Sequence, residues 1–227
     1  MERLGAFYAR QAPRRMTKPG SYPQRVRQNI LPLSVAESLP EGFEEWTFTD
    51  EIRDHEEPVE TCQLCEQEHL RYHFKIRNAL TKKVLWVGSQ CILRFGLSVF
   101  EDGLKLSGQQ AKIKLDRLTQ QMRLNSCIKA LERLAEAENN KILHNALAYY
   151  DENKCLTPKQ AFVVLWRLQK NQIDHSPSFF KVSLQRQKYR DDLRDMEASR
   201  VRLIWPALSS SQRGLAVKLG HSAPDST

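Results

Sequence analysis

The sequence lacks a long hydrophobic run, and it has few cysteines. Its apolar stretches are too short for a membrane-spanning helix. Arginines interrupt the N-terminal residues where a signal peptide has its apolar core. Five cysteines, an odd number, argue against a disulfide framework and for a reducing compartment. These absences predict a cytoplasmic protein.

Motifs of common enzymes are missing as well. The chain has no P-loop, no GxGxxG, no GxSxG and no HExxH. Two acidic groups could supply carboxylates for a metal-dependent nuclease, but neither has a compact metal-ligand spacing, and Arg190 and Arg194 favour a salt-bridged helix face for the second. We therefore expect no enzymatic activity, with a nuclease as the least favoured reading. The groups are Asp50, Glu51, Asp54 and His55, and Asp191, Asp192 and Asp195.

The charge of the chain is positive and unevenly distributed. The formal net charge is +8 and the pI is about 9.3, which favours a polyanionic partner such as DNA or RNA. Residues 34–60 run against this trend, since they carry ten acidic side chains and one arginine. Such a segment packs against a basic surface, meets a basic partner, or forms a solvated linker.

The most informative motif is a pair of cysteines separated by two residues, Cys62 and Cys65, with a third cysteine, Cys91, later in the chain. This spacing lets two thiolates bind one ion, because a tight turn brings the second back toward the first. Alternating residues 70–77 and apolar residues 84–87 predict a β-hairpin. Ser89 as N-cap then places Cys91 in the first turn of a helix, where amides and the helix dipole favour a thiolate.

This order of knuckle, hairpin and helix-borne cysteine resembles the treble-clef class of zinc fingers, over residues 62–95 alone. The resemblance implies one structural Zn²⁺ ion. A treble clef usually takes two ligands from its helix, whereas Arg94 stands where the second is expected. A fourth ligand is therefore sought elsewhere, and a catalytic zinc with one position open to water is the alternative.

His69 is our first candidate for the fourth ligand, because the chain is still turning beside the knuckle there. His73 is the second candidate, and His55, Cys127 and Cys155 are more distant alternatives. Cys127 lies on an apolar helical stripe and is expected in a core. The predicted metal ligands are Cys62, Cys65, Cys91 and His69.

The predicted fold class is α+β, with a small zinc-stabilised β-hairpin module followed by an all-α helical domain. Residues 1–33 are expected to form a flexible basic arm and 34–106 the acidic segment and zinc module. Residues 107–220 are expected to form the helical domain, and 221–227 a tail.

Helix signals are clear in the second half of the chain. The spacing predicts one helix over 109–122 and a second that begins near Ser126. Thr157, Pro158 and Gln160 form a capping box with proline at the first helical position. The apolar face that follows is expected in the core, and it consists of Phe162, Leu165, Trp166 and Leu168.

The predicted function is non-enzymatic nucleic-acid binding, with cations on the hairpin contacting phosphates of DNA or RNA. A subunit of a larger nucleoprotein complex, with other protein subunits as partners, is the alternative. Large subunits of small CRISPR effector complexes have a similar general plan, which is an analogy of architecture alone. The predicted phosphate contacts are Arg71, Lys75, Arg77, Lys82 and Lys83.

Overall fold

A computed structural model describes residues 22–224 of the chain. A small antiparallel sheet comes first and is followed by a series of helices, which confirms the α+β prediction. Within the described part of the chain, no helix combines the length and the apolar character needed to cross a membrane.

The chain enters through two short helices, α1 (Tyr22–Ile30) and α2 (Leu39–Glu44), with a 3₁₀ turn between them. Val26 and Ile30 lie on one face of α1 and are buried. The prediction of a flexible arm is therefore wrong for residues 22–33, because two apolar side chains four residues apart are enough to dock this helix on the module. Residues 1–21 lie outside the described residues.

A three-stranded antiparallel sheet follows, in the order β1, β2, β3. Phe74 pairs with Val87 and Arg77 with Val84, which confirms the predicted hairpin. The pairing of the first strand with the second shifts register between Phe48 and Ile52, where Asp50 has a left-handed φ of 63°. The strands are β1 (Trp46–Asp54), β2 (Tyr72–Asn78) and β3 (Val84–Val87).

Helix α3 (Ser89–Arg94) begins directly after the hairpin, with Gly88 rather than Ser89 as its N-cap. Cys91 still lies in the first turn, as predicted. A second, two-stranded hairpin of β4 (Phe100–Glu101) and β5 (Leu104–Lys105) leads to the helical part of the chain.

The helical part begins with α4 (Gly108–Ala137), a single helix of 30 residues where the sequence predicted two. Asn125 and Ser126 are weak helix formers but not helix breakers. The Ser126 hydroxyl donates to the Asp54 carboxylate rather than capping a new helix. The later helices are α5 (Lys141–Asn153), α6 (Pro158–Lys170), α7 (Gln187–Arg194), α8 (Ala198–Ile204) and α9 (Ser210–Lys218).

Two hydrophobic cores meet along α4. Ala111 and Leu115 belong to the core of the module, and Leu131 and Ala135 to the core of the helical part. Cys127 is buried in the second core, as predicted, and its thiol donates to the Asp174 carbonyl at 3.0 Å. The Thr157 capping box is confirmed at the start of α6.

Four carboxylates of the acidic segment pair with cations of the same chain. They lie on or beside β1, and their partners lie on or just before β2 and on α4. This part of the segment contacts a basic surface of the chain, whereas Glu37, Glu41, Glu44 and Glu57 are exposed. The ion pairs are Asp50 with Lys114, Glu51 with Lys75, Asp54 with Arg71 and Glu56 with Arg133.

Candidate metal centre

The three predicted cysteine ligands come together in the structure. Their sulfur atoms all lie within 4.8 Å of one another, with 3.6 Å between Cys62 and Cys91 and 3.3 Å between Cys91 and Cys65. Four ligands at the usual Zn–S distance of about 2.3 Å sit roughly 3.8 Å apart around a tetrahedral ion. The spacing and the soft donors therefore suit one metal ion such as zinc.

Backbone hydrogen bonds fix the knuckle that carries Cys62 and Cys65. The Glu66 amide donates to the Cys62 carbonyl at 2.8 Å, and the Gln63 amide donates to the Trp86 carbonyl at 2.9 Å, which ties the knuckle to β3. Leu64, at the tip, is fully buried. The Asn29 side chain on α1 donates to the Leu64 carbonyl at 3.1 Å, so α1 also holds the knuckle in place.

The sulfur atoms are buried and in contact with one another. Cys62, Cys65 and Cys91 expose 0%, 5% and 4% of their surface. Contacts with Cys62 and then Cys91 lower the pKa of the Cys65 thiol, whereas contacts with Cys62 and then Cys65 raise the pKa of Cys91. The Gly88 amide donates to Cys62 at 3.5 Å. A bound cation would favour the thiolate form of all three cysteines and release their protons.

Tyr22 on α1 contributes a polar group that sequence reasoning missed. It lines the same cavity as the three cysteines. Burial, followed by its electrostatic interaction with Cys91, raises the pKa of Tyr22 to about 12, so the phenol keeps its proton at neutral pH. The Arg94 guanidinium lies 4.5 Å from the centre of its ring. No signal pointed to Tyr22, since it lies in the segment read as a flexible arm.

His69 lies beside the cluster but is not part of it. It is exposed, has a left-handed φ of 63°, and lines the same cavity of about 540 Å³ as the three cysteines and Tyr22. Among residues 22–224, the atoms grouped within 4.8 Å are the three sulfurs alone. A fourth ligand from His69 stays a prediction.

The other candidates for the fourth ligand have different contacts. The His73 ring nitrogen Nε2 lies 3.2 Å from the Thr61 carbonyl oxygen, and its ring packs edge-on against His55. His55 also approaches Glu60. Cys127 bonds to the Asp174 carbonyl, and Cys155 lies in the helical part, beside a different cavity.

The five cations predicted to bind phosphate divide into two groups. Arg71 pairs with Asp54 and Asp174 at 2.8 and 3.0 Å, and Lys75 pairs with Glu51 at 2.6 Å. These two are engaged because the acidic strand β1 lies against β2. Arg77, Lys82 and Lys83 are exposed, and no carboxylate of the described residues lies within ion-pair distance of them.

The second acidic group has the contacts expected of a salt-bridged helix face. Arg194 pairs with both Asp191 and Asp195, and Lys159 pairs with Asp192. The three aspartates therefore face cations of their own domain.

No protein-family model, curated protein or solved structure matches this chain. The chain is described by its own fold and site: a small sheet with a three-cysteine cluster, joined by one long helix to a series of further helices. The cysteine cluster can hold a metal ion such as zinc.

Proposed function

We propose that the protein is a non-enzymatic nucleic-acid-binding protein, in which one zinc ion holds the fold of the module and lysine and arginine side chains contact phosphates. The observation that carries this proposal is a set of exposed cations on the β2–β3 hairpin with no carboxylate partner among residues 22–224: Arg77, Lys82 and Lys83. The Lys82 ammonium donates to the Ala79 carbonyl at 2.6 Å. Cations without a carboxylate partner are available to neutralise DNA or RNA phosphates.

The turn that carries these cations is held rigidly. The Asn78 side-chain oxygen accepts hydrogen bonds from the amides of Leu80 and Thr81 at 2.8 and 2.9 Å, and its nitrogen donates to Glu45 at 2.6 Å. The Thr81 hydroxyl donates to the Leu33 carbonyl at 2.7 Å. A turn that is already fixed loses less conformational entropy when it binds a ligand.

We assign the phosphate contacts to Arg77, Lys82 and Lys83 rather than to all five predicted residues. Arg71 and Lys75 would each have to leave a carboxylate to reach a phosphate, which offsets much of the gain. The proposed role of the zinc is indirect, since it fixes the knuckle against β3 and so supports the hairpin.

The proposal is tested by charge reversal at the turn. We expect Arg77→Glu with Lys83→Glu to weaken binding to DNA and RNA and to flatten the plot of log affinity against log salt by roughly one unit per lost phosphate contact. Lys112→Glu with Arg117→Glu, which makes the same charge change at paired cations on α4, should leave the slope unchanged. Equal affinity and slope in the turn variant and the parent would contradict the proposal.

The alternative of a subunit in a larger nucleoprotein complex gains no specific support. Three of the acidic residues that suggested docking to a basic partner, Asp50, Glu51 and Asp54, pair with Lys114, Lys75 and Arg71 of the chain itself.

A further inference from the structure

A groove on the helical domain holds an exposed tryptophan. It lies between α6, α8 and the segment near His175, and it has a volume of about 680 Å³. Trp166 exposes 38% of its surface, so the prediction that it belongs to the core is wrong. The buried face of α6 is formed by neighbouring residues, which leaves Trp166 at the edge of that face: Ala161, Val164, Leu165 and Leu168.

Phe162 extends the aromatic surface of the groove. It lies one helical turn before Trp166, and the two rings are 6.5 Å apart at an interplanar angle of 18°. Leu203 and Pro206 form part of the opposite wall. The groove thus offers nearly parallel aromatic rings with apolar sides.

The groove also carries cations. Arg200 and Arg202 are among its lining residues, and no aspartate or glutamate lines it, although Arg200 pairs with Glu197 at 3.2 Å. The Arg200 guanidinium lies 5.1 Å from the Phe162 ring centre, and the Lys170 ammonium lies 5.0 Å from that of Trp166. Within residues 22–224, no carboxylate is within ion-pair distance of Arg202 or Lys170. The chemistry of the site calls for a ligand that is planar and anionic.

We propose that this groove binds single-stranded nucleic acid, with a base stacked against Trp166 and phosphates near Arg202 and Lys170. This inference rests on the proposed function and adds to it a second surface and a preference for single strands. Base stacking on aromatic side chains tolerates any sequence but needs an unpaired base, because bases in a duplex are already stacked. An acidic peptide would match the cations of the groove but has no base to stack against Trp166.

The first test measures binding of a fluorescently labelled eight-nucleotide oligothymidylate, and of a duplex of mixed sequence, by anisotropy. We expect Trp166→Ala to weaken binding of the single strand about tenfold and to leave duplex binding nearly unchanged. Trp166→Phe should restore most of the affinity, because a phenyl ring still stacks. Ile142→Ala, at another exposed apolar side chain, is the matched control, and circular dichroism checks that each variant is folded.

A second pair of variants tests the charge. Arg202→Glu should weaken single-strand binding, whereas Lys188→Glu, an exposed cation on α7 outside the groove, should have little effect. Quenching of tryptophan fluorescence by the oligothymidylate should be lost in Trp166→Phe while binding persists.

The outcomes separate this inference from the proposed function. If Trp166→Ala binds the single strand as tightly as the parent while the Arg77→Glu, Lys83→Glu variant loses binding, the groove inference is overturned and the proposed function stands. If the parent binds neither nucleic acid, both fail. Polyglutamate represents an acidic peptide in this test. If the oligothymidylate binds through Trp166 and polyglutamate neither binds nor displaces it, the inference holds. If polyglutamate binds at Trp166 and the oligothymidylate does not, the inference is overturned.

Discussion

Tyr22 lines the cavity beside the three cysteines, where its hydroxyl can donate a hydrogen bond to a sulfur from outside the knuckle and the helix. Groups that support metal ligands in this way commonly contribute about tenfold or more to metal affinity. Tyr22→Phe keeps the ring that stacks near Phe95 and loses only the hydroxyl. We expect zinc affinity to fall about tenfold, measured by chelator competition. Tyr149→Phe, which loses a hydroxyl far from the cluster, should bind as the parent does.

Cys91 is the ligand that joins the helix to the knuckle, so its removal should release the metal. We expect the purified parent to hold about one zinc per chain and Cys91→Ser to hold almost none, because hydroxyl is a poor replacement for thiolate. Elemental analysis of protein purified without chelator measures this. Cys155→Ser, at a cysteine outside the cluster, is the control. Full zinc content in Cys91→Ser would contradict the assignment.

His69 remains the predicted fourth ligand, and cobalt substitution can test it. With three sulfurs and one nitrogen around Co²⁺, His69→Ala should change the visible absorption spectrum and weaken binding. His144→Ala, an exposed histidine on α5, should change neither. An unaltered spectrum in His69→Ala would mean that the fourth ligand is another group, such as water in the adjoining cavity.

These residues differ in how far the sequence could predict them. The three cysteines were found because a short spacing and a helix start fix their positions locally. Tyr22 was missed, since it reaches the cluster only through the docking of α1. Arg71 and Lys75 were expected to be free because local spacing does not show which carboxylates of residues 34–60 reach them.

At the scale of elements, a buried ion pair joins the sheet to the helical part. The Asp54 side chain exposes 5% of its surface and accepts from Arg71 at 2.8 and 3.1 Å and from Ser126 on α4. Arg71 also pairs with Asp174, which in turn pairs with Arg123. The pair therefore connects β1, β2, α4 and the loop after α6.

Removing one member of this buried pair should lower the free energy of unfolding much more than removing a member of a surface pair. We expect Asp54→Ala to lower the free energy of unfolding by about 3 kcal/mol, because Arg71 loses its most buried partner. Glu51→Ala, which removes a more exposed partner of Lys75, should cost less than about 1 kcal/mol. Urea denaturation at neutral pH measures both. Equal effects would mean that the Asp54 pair is solvated in solution.

The same pair predicts a pH dependence. Burial of the Asp54 carboxyl opposes ionisation, but hydrogen bonds from Arg71 and Ser126 outweigh it and lower its pKa below the ordinary value of 3.8. Its stabilising contribution is therefore present above that value and is lost as the pH falls through the lowered pKa. We expect the difference in unfolding free energy between the parent and Asp54→Ala to shrink below about pH 4. Acid also protonates the cysteines, but it does so in both proteins, so this effect cancels in the difference between their unfolding free energies.

Element boundaries show where local signals end and packing begins. The capping box at Thr157 was predicted because its hydrogen bonds are made within one turn. Trp166 was assigned to the core because helical spacing identifies an apolar face but not how far the neighbouring helices cover it. A new helix was predicted to begin near Ser126. The Ser126 hydroxyl instead bonds to Asp54, a partner distant in sequence, and α4 continues through this position.

At the scale of the whole molecule, α4 is the element shared by both cores. Its first turns pack with the module through Ala111 and Leu115, and its later turns pack with the helices through Leu131 and Ala135. Loss of the proposed zinc from the module should therefore destabilise the helical part, because a continuous helix transmits the loss of packing at one end to the other.

A proline in the middle of α4 tests this coupling. Gln120 is exposed, so Gln120→Pro removes no core contact and acts through the helix backbone, at a cost of about 3 kcal/mol. We expect the parent to unfold in one calorimetric transition and Gln120→Pro to unfold in two, with a chelator lowering the temperature of only one of them. Gln120→Ala, a better helix former, should retain a single transition. One transition in the proline variant, still lowered by the chelator, would show that the cores are coupled without an intact α4, and the Arg71–Asp174 pair would be the next contact to break.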